Sequence, residues 1–341
     1  MILDGADPHA VASAAVILQR GALLGLPTET VYGLAADASN DQAVAHIFAA
    51  KGRPSDHPLI VHVANADGVA HFAREVPDFA AKLIDAFWPG PLTLILPRRS
   101  GVAAAAAGGQ DSVGLRCPSH AVAQAVLRQA QALGVLGVAA PSANVFGRVS
   151  PTTAAHVATE FGPDLCVLDG GACEVGIEST IVDCTRSDPV LLRPGVLTPE
   201  QLSLACGRTV QLSGALLGQL DPQAPRASGT LASHYAPRAQ VRLVEASNLV
   251  DELQGWAQRS ARNATLALWT CQPVAVPTNL AARVQQQRMP QEAAACAHEL
   301  FAQLRAFDDG GVGEIWVQSP PSAAAWDGVR DRLQRAATPV R

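Results

Sequence analysis

PHAVASAAVILQRGALLGLP, residues 8–27, decides the fold class. Residues 8–20 repeat apolar positions at helical spacing and stop at Gly21, and the ALLGLP that follows is a short buried strand. The same unit then recurs. Asn40 or Asp41 is placed to cap a second helix through Ala50, and PLIVHV from Pro58 is a strand rich in β-branched residues. Working outward, helices are predicted at 77–87, 120–132, 152–159 and 198–205, with strands near 92–97, 112–116, 135–139, 165–168, 178–183 and 190–193. Such interleaving predicts a twisted open α/β sheet flanked by helices, with its ligands in a crevice at the strand ends.

With 341 residues the chain exceeds what one hydrophobic core usually holds, so a second domain is expected. From Gly207 to Pro237 the periodicity lapses into Gly, Pro, Ser and Gln (DPQAPRASGTLASHYAP), as a linker or a functional lid would. Beyond it VRLVEA, TLALWT and EIWVQS read as strands between helices near 247–259, 291–306 and 322–335. The expected division is 1–206, a linker at 207–238, and a small Rossmann-like α/β domain at 239–341. That last domain has no G-x-G-x-x-G turn, so its fold alone is no sign of nucleotide binding.

Composition excludes several classes. Hydrophobic residues are 48% and charged residues 16%, ample for a buried core. No apolar run approaches the roughly 20 residues that span a bilayer, and the start, with Asp4 and Asp7, lacks the basic region of a signal peptide; a cytoplasmic protein is expected. The seven cysteines form no C-x-x-C pair, which predicts buried free thiols rather than a zinc or disulfide framework. A net charge of −5 argues against strong direct nucleic-acid binding. Of 25 basic residues only Lys51 and Lys82 are lysines. A compact ammonium and a planar guanidinium do different work, so a lysine retained at 51 hints at a site needing a point charge.

The chemistry-bearing residues lie in polar segments at predicted strand edges: PTETVYGL (27–34), KGRPSDHPL (51–59), VGLRCPS (113–119), PSANVFGRVSPT (141–152), GIEST (176–180) and LLRPG (191–195). Lys51 and Arg53 can meet phosphate or carboxylate oxygens, or can simply finish a solvated helix end. Arg116 and Arg193 stand in apolar strands, where a guanidinium needs an anionic partner: a ligand, or an internal Asp or Glu. His62 fits a pocket or a satisfied core histidine. Ser142 and Asn144 form a turn able to hold a nucleotide or only to cap itself. No Walker A loop, G-x-S-x-G elbow, H-E-x-x-H pair or Cys/His cluster exists, which removes the commonest hydrolase and zinc readings.

In this order, PTETVYGL, KGRP with HPLIVHV, FWPGPLTLIL, GLRCP, APSAN, GIESTIVD and LLRPG resemble the YrdC-type catalytic domain over residues 8–205. HYAP (234–237) and the small domain after it resemble the long, two-domain form of threonylcarbamoyl-AMP synthase. The resemblance implies that L-threonine, bicarbonate and ATP, with Mg²⁺ accompanying the nucleotide, become threonylcarbamoyl-AMP and pyrophosphate. That product passes to the transferase machinery that makes N6-threonylcarbamoyladenosine beside the tRNA anticodon. It implies Lys51 and Arg53 as the catalytic cations, with Lys51 where bicarbonate, carbamate and phosphate converge. Thr30, His62, Arg116, Ser142 and Ser179 would line the threonine pocket. Arg53, His57, Ser112, Asn144, Thr152, Arg193 and Tyr235 would contact ATP, although a common family form has Asn where this chain has His57. Tyr235 would make the linker a lid over the cleft. The competing readings are carbamoyl transfer in hydrogenase maturation, whose zinc-finger motifs are missing here, and a non-catalytic RNA-binding module.

Overall fold

Two sheets carry the chain in the computed structural model, which describes residues 1–219, 224–230 and 234–338. One compact unit comprises Met1–Phe146 and Ser150–Thr230; the other takes Gly147–Val149 together with the chain after Thr230. The segment read as a linker is therefore divided, and its portion up to Thr230 packs with the first unit.

The first unit opens with β1 (Ile2–Asp4), α1 (Pro8–Gln19), β2 (Leu24–Leu26), β3 (Gly33–Asp37), α2 (Asp41–Lys51) and β4 (Ile60–His62). It continues through α3 (Ala66–Phe72), α4 (Asp78–Phe87), β5 (Leu92–Pro97), β6 (Ser112–Arg116), α5 (Ala121–Ala132), β7 (Val138–Ala139) and α6 (Ala154–Phe161). β8 (Cys166–Asp169), β9 (Thr180–Asp183), β10 (Val190–Arg193), α7 (Pro199–Cys206) and β11 (Gln211–Leu212) complete it. Its eleven strands form one sheet in the order β1-β8-β2-β3-β7-β4-β6-β5-β9-β10-β11. The sheet mixes parallel pairs such as β4 with β6 and β5 with β9 and antiparallel pairs such as β5 with β6.

Local chemistry fixes the element ends. Asn40 caps α2, its side chain accepting from the amides of Gln42 and Ala43. Thr198 and Gln201 form a reciprocal capping box at the start of α7. α1 and α5 pack together over an apolar layer holding Leu18, Leu24, Val126 and Leu168. α2, α4 and α7 contribute to a second layer with Ile47, Leu83, Leu94, Leu115 and Leu202. Each leucine so buried contributes about 1.5–3 kcal/mol relative to exposure.

The second unit holds β12 (Gln240–Val244), α8 (Leu249–Arg259), β13 (Leu266–Thr270), β14 (Val284–Arg288), α9 (Ala293–Asp309), β15 (Glu314–Gln318) and α10 (Asp327–Ala337). Its sheet, ordered β12-β15-β13-β14, is parallel throughout. Buried Trp256 and Trp316 are satisfied at their indole N–H groups by the two carboxylate oxygens of Glu314, at 2.9 and 3.0 Å.

The predicted elements are present with ends shifted by a few residues, and β7 is confined to two of the five predicted positions. Five further elements have no sequence signal of their own, among them the two-residue β11 inside the segment read as a linker. β1 is three residues long, β3 (GLAAD) is built of small side chains, α3 is short, and β14 (VQQQR) is a largely exposed edge strand without apolar alternation. All seven cysteines are free thiols, six of them buried.

Candidate active site

Gly52 ends α2 in the left-handed conformation, with φ 61°. That turn leaves Lys51 on the last helical residue and sends Arg53 into the following loop. Lys51 is 1% exposed, and its Nζ donates to the carbonyl oxygens of Ser142 and Asn144, each at 2.5 Å. Burial first, and then the Arg53 charge, hold its pKa well below the usual lysine range, with Glu160 and Glu178 opposing. Arg53 donates to the Pro58 carbonyl at 2.9 Å and to Ser228 Oγ at 3.2 Å, and its guanidinium lies 5.6 Å from the centre of the Phe146 ring. His57 meets the same ring edge-on at 5.5 Å, and burial together with Arg53 lowers its pKa.

A second group forms where β4, β6, β5 and β9 end side by side. His62 and Arg116 are register partners across β4 and β6. Arg116 Nη1 donates to Thr30 Oγ1 at 2.7 Å, its Nε donates to the Gly90 carbonyl at 3.3 Å, and its Nη2 stands 2.7 Å from Glu29 Oε1. Both members of that ion pair are almost wholly buried, at 4% and 3% side-chain exposure. Burial and the neighbouring Arg116 charge push His62 down to about 3, so it is neutral through the physiological range. Its Nδ1 has no hydrogen-bond partner among the described residues.

Ser179 stands just before β9 and shares a 2.7 Å hydrogen bond with Thr93 of β5. Arg193, at the end of β10, donates to the Ser179 carbonyl from Nε at 3.1 Å and from Nη2 at 3.0 Å. Its Nη1 donates to the Ser228 carbonyl at 2.8 Å. Ser228 itself donates to the Pro58 carbonyl at 2.6 Å, so one serine of the former linker touches two of the predicted ATP-binding arginines. The segment is anchored by Arg226, which pairs with Asp56 at 3.0 Å, and it lies against a recess lined in part by Ser112, Ile60 and Ile95. Thr152 is buried, and its amide donates to His156 Nδ1 at 3.3 Å. Tyr235 belongs to the second unit, where its buried ring lies 5.3 Å from that of Phe301 and 5.4 Å from the guanidinium carbon of Arg332.

Ten of the twelve predicted residues of the first unit thus fall into linked sets, Ser112 and Thr152 standing outside them: Lys51 with Ser142 and Asn144; Arg53 with His57; Thr30 and His62 with Arg116; Ser179 with Arg193. A backbone bridge between Gly33 and Ser142 runs alongside, joining the loop that holds Thr30 to the turn that holds Lys51. Sequence reading missed Glu29, Ser228 and Glu178. For Glu29 a signal existed: it sits among Val31, Tyr32 and Leu34, and the rule that flagged Arg116 applies to a carboxylate in the same surroundings. Ser228 had none, since serine is unremarkable in a segment of that composition.

Comparison with known proteins adds to this geometry. The sequence model of the Sua5, YciO and YrdC family, described as "Telomere recombination", matches residues 16–195. That of the "Threonylcarbamoyl-AMP synthase, C-terminal domain" matches residues 197–338. A threonylcarbamoyl-AMP synthase of Bacillus subtilis is 36% identical over 97% of this chain and 93% of its own length. One from Pyrococcus abyssi is 44% identical over 68% of this chain and 67% of its own. The crystal structure of the Pyrococcus abyssi protein Sua5 complexed with L-threonine superposes with a TM-score of 0.89 at 33% identity, over 99% of this chain and 97% of that one.

Proposed function

Because the chain belongs to the family of two-domain threonylcarbamoyl-AMP synthases, we propose that it joins L-threonine, bicarbonate and ATP into L-threonylcarbamoyl-AMP, the first step of N6-threonylcarbamoyladenosine synthesis on tRNA. The reaction class is nucleotidyl transfer. The threonine amine takes up bicarbonate to give a carbamate and water, and a carbamate oxygen then displaces pyrophosphate from the α-phosphorus of ATP. Several anions must approach one another, so the protein's work is positioning, charge compensation and exclusion of water.

The observation that carries the proposal is Lys51: a wholly buried lysine held by two main-chain carbonyls, with Arg53 next to it. A buried cation whose pKa burial suppresses gains most from an incoming anion, as bicarbonate, carbamate and the α-phosphate are. In this reading Arg53 and Arg193 receive the triphosphate, with His57, Ser112, Asn144, Thr152 and Tyr235 around the nucleotide. Thr30, His62, Arg116, Ser142 and Ser179 form the threonine pocket. Mg²⁺ enters with the triphosphate as part of the substrate. A cytoplasmic setting and delivery of the product to the tRNA-modifying transferase complete the proposal. The described helices include none long and apolar enough to cross a membrane.

The contacts of Arg226 and Ser228 with Asp56, Arg53 and Arg193 support a role for the 207–238 segment in keeping water from the anhydride. Substitutions at Arg226 and Ser228 test this, because a truncation after Thr230 leaves both residues with the first unit. The decisive assay is mass spectrometric detection of product from the purified chain with ATP, Mg²⁺, bicarbonate and L-threonine, each omitted in turn. Product requiring all of them, and reduced about 1,000-fold in Lys51→Ala, is expected. Nucleotide binding without product under any condition would refute the synthase reading.

A further inference from the structure

The PTETVYGL loop contributes a charge that none of the assigned roles uses. Glu29 is 2% exposed, and among the described residues its carboxylate has one close polar contact, Arg116 Nη2 at 2.7 Å. Apart from that ion pair, neither Glu29 oxygen has a hydrogen-bond partner among the described residues. Arg116 Nη2 likewise donates no aligned bond, while Nη1 and Nε are used by Thr30 and Gly90. A buried carboxylate and a buried guanidinium side by side, each with hydrogen-bonding capacity left over, call for a ligand carrying the opposite two charges at matching separation. An α-amino acid zwitterion has that form.

We propose that Glu29 receives the α-ammonium of L-threonine, beside the carboxylate bound by Arg116, and takes the ammonium proton so that the amine can attack. The proposal rests on the threonine-pocket reading above. One N–H bond of the ammonium breaks and an O–H bond forms on Glu29, leaving a neutral amine with its lone pair free. The amine nitrogen then bonds to the carbon of bicarbonate, a C–O bond of bicarbonate breaks, and the departing hydroxide takes a proton from that nitrogen, so that the carbamate and one water result. Glu29 returns its proton to solvent before the next turnover. The α-ammonium of a free amino acid, next to its own carboxylate, keeps its proton throughout the neutral range. A proton acceptor held beside the bound ammonium raises the share of free amine poised to attack.

The groups that face Glu29 do not confuse a pH measurement. Arg116 stays charged throughout. His62, beyond it, is pushed down to about 3, the Cys117 thiol is raised by burial, and Cys173 is pushed up to about 12 with Glu174 beside it.

The test compares the wild-type full-length chain with Glu29→Gln, measuring kcat/KM for L-threonine from pH 6.5 to 9 and nucleotide binding in parallel. The expected result is a deficit of about 100-fold near pH 6.5 that shrinks to about 10-fold or less near pH 9, where solvent supplies free amine, with ATP affinity unchanged. A deficit of constant size across the range, or no deficit, overturns the proposal. Should Glu29→Gln fail to fold, the wild-type chain decides. A 2,3-dihydroxybutyrate with the threonine configuration, bearing hydroxyl in place of ammonium, is expected to compete at least about 10-fold more weakly than L-threonine binds, and equal binding overturns the proposal. A wild-type chain that neither binds nor consumes L-threonine fails at the threonine reading itself, an outcome told apart because it precedes any substitution.

Discussion

Lys51 and Arg116 are both buried cations in the same loop system, yet their surroundings differ in charge. Arg116 is matched by Glu29 at 2.7 Å, so its end of the cleft is electrically balanced. Lys51 is held by two neutral carbonyls with no carboxylate in ion-pair contact among the described residues; Arg53 adds positive charge nearby, and Glu160 and Glu178 oppose it from further off. A balanced pocket suits a zwitterion, which brings no net charge, whereas an unbalanced one suits an anion. Under the proposed function the first end would take the amino acid and the second bicarbonate with the polyphosphate.

The contrast is broken most easily at the balanced end. Arg116→Met would leave Glu29 charged and alone in the interior, and is expected to cost about 3–5 kcal/mol in chemical denaturation of the first unit, with partial recovery in the Glu29→Gln, Arg116→Met double variant. A cost below about 1 kcal/mol would mean that the ion pair is no unit. A smaller effect is expected from His62, whose pKa lies near 6.5 in the unfolded chain and about 3 in the folded one. Between those values only the unfolded chain binds the proton, so stability falls as the medium is acidified, by up to about 1.4 kcal/mol per pH unit from this group. His62→Gln should lose that part of the acid slope when denaturation midpoints are followed from pH 7 to 4. The smallest effect sharpens the comparison. Lys51→Met removes a buried charge but deprives two carbonyls of their donor, opposing contributions of similar size, and the melting stability should stay within about 1 kcal/mol of wild type while synthesis is lost.

How much of this was legible in the sequence depended on the kind of signal each residue carried. The long amphipathic helices and the apolar strands declared themselves by periodicity, whereas β3 and β14 did not. β3 is made of small residues whose burial comes from their neighbours, and β14 is an edge strand with glutamines facing out. Lys51 stood out by composition, and Arg116 and Arg193 by being charged in apolar strands. Their partners were another matter. That Arg116 pairs with Glu29, 87 positions away, is fixed by how the loop after β2 passes the end of β6. That Ser228 meets Arg53 and Arg193 is fixed by a segment with no local periodicity at all. Charge showed which residues needed company; only the tertiary structure showed who supplied it.

The suppressed proton affinity of Lys51 has a consequence for any titration of the cleft. An anion arriving beside the amine raises that affinity, so occupancy and protonation favour each other, and binding tightens as the pH falls from the raised pKa of the filled site toward the lower pKa of the empty one. The proton comes from the buffer. The heat of anion binding therefore contains the buffer's own ionisation heat in proportion to any protons taken up, and comparing two buffers counts them.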